Sequence, residues 1–260
     1  MSRIVFLIAF FINTNAFADY EFEDVSSSDL KKVVKELGNN FTYTPVAGAS
    51  TLGSIFGFKL GVIAGTTSTP EIADLAGSEA SIVHAALMGR ISVPFGLTFG
   101  LNYIPATSLG TAKIGLSGLE VQWTISEGLL VIPFDLAVRG TYSKASFGFT
   151  QDVTSPTAGT ADVTADITTT SLAVLGGLDL IVVKPYAGVG TVTVDGKVDL
   201  EGNYTFFGGD LTGETSASEK VTGTQILLGV DFSLLIMDIG IEYATQLDSS
   251  RFTAKVAFGF

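Results

Sequence analysis

Downstream of Leu52 the chain alternates apolar and polar positions in ten successive runs. Strict period-2 alternation marks a β-strand with one apolar and one polar face. In the run 55–63, Phe56, Phe58, Leu60 and Val62 share a face, and Gly57, Lys59 and Gly61 share the other. The run 82–93 sets Val83, Leu87, Ile91 and Val93 against His84, Ala86, Arg90 and Ser92. The runs 97–104, 113–125 and 134–147 follow, with Glu120, Asp135 and Arg139 on their polar faces. A slip of phase near Ser117 and Gly118 predicts a β-bulge there. The runs 168–180, 186–198, 221–232 and 238–247 place Asp179, Asp195, Lys197, Asp231, Asp238 and Glu242 on the polar side. In the seventh, Val192, Val194 and Val198 make the apolar face. The tenth, 251–260, puts Phe252, Ala254, Val256, Phe258 and Phe260 opposite Arg251, Thr253, Lys255, Ala257 and Gly259.

The connections between runs alternate in character. Those after runs two, four, six and eight are tight or apolar: Val93-Pro94-Phe95-Gly96, Leu130-Val131-Ile132-Pro133, Val182-Val183-Lys184-Pro185 and Leu234-Leu235-Ile236. Three of the others, 66–81, 150–167 and 199–220, are long and polar. Short turns on one side and long loops on the other are the pattern of a transmembrane barrel, and an even strand number puts both chain termini in the periplasm. The final run carries the one specific motif. It resembles the closing strand of bacterial outer-membrane β-barrels, whose signature is a terminal aromatic with hydrophobic residues at alternate positions before it. Val256, Phe258 and Phe260 match that signature, while Lys255 stands where the pattern often has glycine. The resemblance implies an all-β, roughly ten-stranded antiparallel barrel over 52–260, located in the outer membrane amid lipid and lipopolysaccharide. It also implies recognition by the barrel-assembly machinery through the last strand.

Composition supports a membrane setting. Hydrophobic residues make up 47% of the chain and charged residues 15%, against about 25% charged in a soluble domain. A soluble β-barrel or sandwich would need a charged coat. Here the polar face is mostly Gly, Ala, Ser and Thr. The net charge of −12 with no basic cluster argues against nucleic acid as a partner. The absence of cysteine excludes disulfides, thiolate chemistry and acylation at a mature cysteine. Residues 1–18 read as a cleavable signal peptide, with Arg3, an apolar run 4–12 and Ala16-Phe17-Ala18. The segment 19–51 is expected to be periplasmic. A short helix, 30–37, is expected after Ser28 or Asp29 and ended by Gly38. It has three possible places: the periplasm, the lower barrel mouth or the lumen.

The expected chemistry lies in the lumen. Inward-facing Lys59, Arg90, Arg139, Arg251 and Lys255 accompany Glu120, Asp135, Asp179, Asp231, Asp238 and Glu242. Charges in so narrow an interior must be paired or hydrated. They form either a salt-bridge brace or the lining of a narrow porin-like channel for ions or small solutes, in which Asp135, Asp179, Asp231 and Asp238 make a cation-favouring lower mouth. The alternative is a closed structural or adhesive barrel whose outer loops bind a partner, with Tyr204, Phe206 and Phe207 as candidate contacts. Ten-stranded outer-membrane proteases of the omptin family invite comparison, but their Asp-His site has no counterpart pattern around His84, the single histidine. Thr44-Pro45-Val46-Ala47 is faintly similar to the start of the long-chain fatty-acid channel family, whose barrels are longer. No metal-ligand spacing and no phosphate loop occur, so no cofactor and no enzymatic activity are expected.

Overall fold

A computed structural model describes residues 27–53, 55–76, 81–109, 112–126, 134–153, 159–206 and 209–259. The expected signal peptide, Phe260, Phe207 and the connection 130–133 lie outside these residues, and the side chains of Tyr204 and Phe206 are not described. Ten antiparallel strands close into one barrel: β1 Gly57–Ser68, β2 Ser81–Val93, β3 Leu97–Leu109, β4 Ala112–Thr124, β5 Phe134–Val153, β6 Gly159–Leu178, β7 Val183–Phe206, β8 Gly209–Leu234, β9 Met237–Gln246 and β10 Ser249–Gly259. Each strand pairs with its sequence neighbours, and β1 closes on β10 from Lys59↔Gly259 to Thr67↔Arg251. Two helices accompany them: α1, Ser27–Phe41, and α2, Pro70–Ala76. The end where β1 begins and β10 finishes is the lower end. Its turns place Phe95, Ile181 and Leu235 at positive φ (73°, 70° and 56°) with exposed apolar side chains.

The wall has two zones. In the lower one Leu60, Leu87, Phe99, Leu119, Trp123, Leu172, Ile226, Tyr243 and Phe258 face outward and exposed, while Arg90, Glu120, Arg139, Thr141, Thr253 and Lys255 are buried inside. An apolar exterior around a polar interior is the lipid-facing arrangement of a transmembrane barrel. Towards the upper ends of β5 to β8 the pattern inverts. Ala145, Ile167, Val192, Val194 and Val221 now point inward and are buried, and Lys144, Thr170, Thr191, Asp195, Lys197 and Thr222 point outward. Apolar inside and polar outside is how a sheet meets water. The upper zone therefore stands clear of the apolar band. This corrects the facing of the seventh run, whose valines 192 and 194 look inward because α1 lies behind them.

The long polar connections 150–167 and 199–220 are largely strand, forming the tall β5–β6 and β7–β8 hairpins. The bulge also moves. Pairing is continuous through Ser117 and Gly118, and two residues of β3, Pro105 and Ala106, oppose Gly115 between Ile104↔Leu116 and Thr107↔Ile114. Proline cannot donate to the ladder, so a bulge absorbs it. The apparent slip in β4 arises because Ile114 and Leu116 turn inward onto the apolar clusters formed with the N-terminal segment. That segment, expected as periplasmic, runs inside the barrel over its described residues, 27 to about 52. Of the three places open to the helix, the lumen is the one it takes.

Candidate functional site

Below the end of α1, residues 42–52 descend through the lumen without helix, and the wall holds the main chain of this segment and of the helix end at successive levels. At the bottom, the Leu52 amide donates to Ser92 Oγ (3.0 Å). Thr124 Oγ1 donates to Ala49 O (2.6 Å), and Gln122 Nε2 donates to Gly48 O and Ala49 O (both 3.2 Å). Arg139 Nη2 donates to Ala47 O, and Asn102 Nδ2 to Thr44 O (3.0 Å). Higher up, Ser143 Oγ donates to Phe41 O (2.7 Å), while Arg251 Nη1 donates to Asn39 O (2.7 Å) and Thr42 O (3.1 Å). An extended chain inside a barrel has no neighbouring strand for its carbonyls, so wall side chains satisfy them. Val46 adopts φ 48°, rare for a β-branched residue, and is fully buried against Ile63, Ala86, Met88 and Ala257.

Small wall residues make the room. A Cβ at Gly118 would fall 2.8 Å from Tyr43 Cδ2, and one at Gly196 would fall 2.7 Å from Val34 Cγ1. Glycine lets the backbone approach closely at both points. Tyr43 then reaches the wall charges, donating from its hydroxyl to Glu120 Oε2 (2.8 Å). Glu120 also accepts from Arg90 Nε (3.1 Å) and Nη2 (2.8 Å), and its Oε1 lies 3.3 Å from Arg139 Nε. All four side chains are buried. Two arginines about one carboxylate leave excess positive charge, which Gln122 and the plug carbonyls partly offset around Arg139.

The other expected lumen residues are distributed differently. Lys255 pairs with Asp231 (2.8 Å), and Lys59 with Asp238 (2.6 Å), both inside the wall. Glu242 accepts from the Tyr186 hydroxyl at 2.9 Å. Asp135 is half-buried and accepts from Ser126 Oγ (3.2 Å). Asp179 does not line the lumen. It follows the end of β6 in the lower turn and pairs with Lys184 (2.7 Å) at the surface. The four acids of the expected lower mouth thus have partners and form no open ring. His84 is a strut: Nδ1 lies 3.1 Å from Asn40 Oδ1 on the plug, and Nε2 lies 3.1 Å from Thr253 Oγ1 on β10. Among the described residues it makes no contact with a carboxylate, and no acidic or histidine cluster could hold a metal.

At the upper mouth α1 is latched to the loops. Both Glu36 carboxylate oxygens accept amides at the start of α2, from Glu71 (2.8 Å) and Ile72 (2.9 Å). Burial holds the Glu36 carboxyl above its ordinary range despite those two bonds, with the nearby charges of Glu71 and Asp74 acting in the same direction. Lys32 pairs with Glu71 (3.1 Å), Lys35 with Asp248 (2.7 Å) and Lys31 with Glu219 (3.5 Å). The β9–β10 turn ends well below the β7–β8 hairpin, so β8 has no β9 partner above Gln225. In that notch lies a cavity of about 510 Å³, lined by Lys35, Ser68, Thr222, Thr224, Gln246 and Ser249 among others. Sequence reasoning found the wall charges but missed Tyr43, Asn39 and Asn40. Only their neighbours in space give these residues a role.

A family model described as a family of unknown function (DUF6588) matches residues 8–260. No curated protein matches the chain. Among solved structures, it is similar to the translocator domain of the autotransporter NalP from Neisseria meningitidis, at 12% identity over 80% of this chain and 89% of that one, with a TM-score of 0.46. The outer membrane protease OmpT from Escherichia coli matches at 10% identity over 79% and 96%, TM-score 0.42. The Pseudomonas putida toluene transporter TodX matches at 8% identity over 93% and 99%, TM-score 0.40.

Proposed function

We propose that this chain, which belongs to the DUF6588 family of unknown function, is an outer-membrane barrel held shut by its own N-terminal segment and acting through its outward-facing upper mouth. The observation behind this reading is the occupied lumen. From Ser92 at the bottom to Asp248 at the top, wall residues grip residues 35–52 at every level. A small barrel has little interior to spare beyond its own side chains. A peptide inside as well takes up that space, which supports a lumen closed to solutes. In this orientation the lower turns are periplasmic, and the tall β5–β8 hairpins, with polar outer faces, project from the cell. They and the notch beside them are where a partner or the sugars and phosphates of lipopolysaccharide would be met.

A gated, porin-like channel is the second reading. Its support is the polarity of the wall facing the plug: Arg90, Asn102, Glu120, Gln122, Arg139, Thr141 and Ser143 would all accept hydration if the segment left. Planar-bilayer recording separates the two. The refolded mature chain should be silent, and a variant lacking residues 19–51 should conduct in discrete steps. Frequent spontaneous openings in the intact chain would refute the shut barrel in favour of the gated channel.

A further inference from the structure

Positive φ suits glycine, asparagine and aspartate, and a bulky or β-branched residue there is an outlier. At the lower rim this place is taken three times by a large apolar residue: Phe95, Ile181 and Leu235. Phe95 is 89% exposed, Ile181 85% and Leu235 wholly, so nothing among the described residues covers them. The upper β9–β10 turn makes the contrast. Its Leu247 also has positive φ, but its side chain is buried in the cluster with Val34 and Val221, and the adjacent Asp248 pairs with Lys35. The chain itself shelters that leucine.

What lies against the lower three follows from the height of the apolar band. On the outer face of β8, Thr222 and Thr224 are polar, Ile226, Leu228, Phe232 and Leu234 are apolar, and the apolar run ends in the turn at Leu235 and Ile236. Leu235 stands nine residues after Ile226, which is about 31 Å along a strand and about 22–25 Å along the membrane normal at the usual tilt. An outer-membrane barrel carries an apolar band of about 25 Å. Ended at Phe232, the band would reach only about 14–17 Å by the same arithmetic. β6 and β7 agree, with Leu172 and Val189 the first outward apolar residues below Thr170 and Thr191. The turns are needed to complete the band.

A turn in lipid must also satisfy its own backbone, since no water is there to do so. Each of the three is bonded to the next strand around the barrel. The Thr124 amide donates to Gly96 O (2.8 Å), that of Ser233 to Val182 O (2.8 Å) and that of Gly259 to Ile236 O (2.9 Å). In the β6–β7 turn the Leu180 amide donates to Val183 O (3.2 Å) and the Ile181 amide to Asp179 Oδ1 (3.0 Å), while the charge of Asp179 is paired with Lys184. The three turns stand apart around the mouth, after β2, β6 and β8 of the closed ring. That spacing fits a medium that surrounds the rim better than one docked protein.

We propose that the lower rim is a lipid-binding surface, with the tips of these turns sunk in the periplasmic leaflet and Phe95, Ile181 and Leu235 among the acyl chains next to the headgroups. The assignment rests on the transmembrane reading of the barrel and carries its apolar band across the turns.

Fluorescence quenching tests it. Trp123 is the single tryptophan and faces outward within the band. Phe95→Trp and Leu235→Trp are each placed in a Trp123→Phe background. The chains are refolded into vesicles of phosphatidylcholine brominated near the headgroup end of its acyl chains, with unbrominated vesicles for reference and iodide on both sides as the aqueous quencher. Folding is checked by heat-modifiable migration, and if one variant does not fold the other decides. The bromines should remove at least half the share of emission that they remove from wild-type Trp123, and iodide should remove little. Quenching by iodide without quenching by bromine would place the turns in water and overturn the assignment. Protection from both would mean that protein covers them, and would overturn it equally. If wild-type Trp123 itself escapes the bromines, the transmembrane reading fails and the assignment falls with it.

Discussion

Replacing Glu120 by glutamine tests whether the lumen is dry and its plug held by charge. The change keeps shape but removes the one negative charge shared by Arg90 and Arg139, and one of the two oxygens that accept from Arg90 and Tyr43. Removing one member of a buried ion group costs about 3–5 kcal/mol, because the remaining charge stays buried and unpaired. At about 2–4 °C per kcal/mol for a chain of this size, the unfolding midpoint should fall by roughly 6–20 °C. The assay is the shift from compact to unfolded migration on gels as temperature rises, read against wild type. A second variant, Arg90→Met with Glu120→Leu, removes the bidentate pair as a unit. Arg139 then keeps Gln122 and the plug carbonyls, so much of the loss should be recovered. A midpoint for Glu120→Gln within about 1 kcal/mol of wild type, the size expected of a solvated pair, would mean that water screens the cluster. The sealed lumen would then fail with it.

Other perturbations separate close alternatives. Gly196→Val places a Cβ 2.7 Å from Val34 Cγ1; overpacking of about 1–3 kcal/mol should lower the midpoint, and adding Val34→Ala should restore part of it. Asp231→Asn strands the buried Lys255 and should cost about 3–5 kcal/mol. Asp179→Asn opens only a surface pair and should cost about 0–1 kcal/mol. Equal effects in thermal melts would show that the two acids are not placed as described. Glu36, whose carboxyl is held above its ordinary range, binds its proton more readily folded than unfolded. Its contribution is therefore fully present below the unfolded value and is lost as pH rises through the raised folded value. Melting Glu36→Gln beside wild type across that interval should show wild type losing stability relative to the variant as pH rises; parallel curves would contradict the burial of this carboxyl.

Much of the barrel was legible from residue order alone. Period-2 alternation located all ten strands, and the alternation of tight and long connections gave their antiparallel sequence, because a strand with one lipid-facing side writes its facing into every second residue. The same rule misled in β7. Val192 and Val194 read as lipid-facing, but that stretch lies above the apolar band, where water is outside and α1 is inside. The polar runs 150–167 and 199–220 read as loops because small polar residues carry no strong alternation, although most of them pair as hairpin. Asp179 shared the phase of its strand and so was assigned to the lumen. It lies one residue past the end of β6, where phase no longer fixes direction.

The sequence by itself determined that this is a transmembrane barrel with about ten strands and an apolar lipid-facing band. Those properties depend on the local alternation of side chains against two solvents, lipid and the interior. Only the tertiary structure decided what fills that interior. The placing of residues 39–52 against Ser92, Thr124, Asn102, Ser143 and Arg251 depends on a main-chain amide and main-chain carbonyls meeting side chains from distant strands. A backbone carbonyl is identical at every residue and leaves no mark in the sequence. The same holds for Arg251: its charge was plain from the sequence, but the Asn39 and Thr42 carbonyls that it meets are placed only once the end of α1 and β10 are brought together.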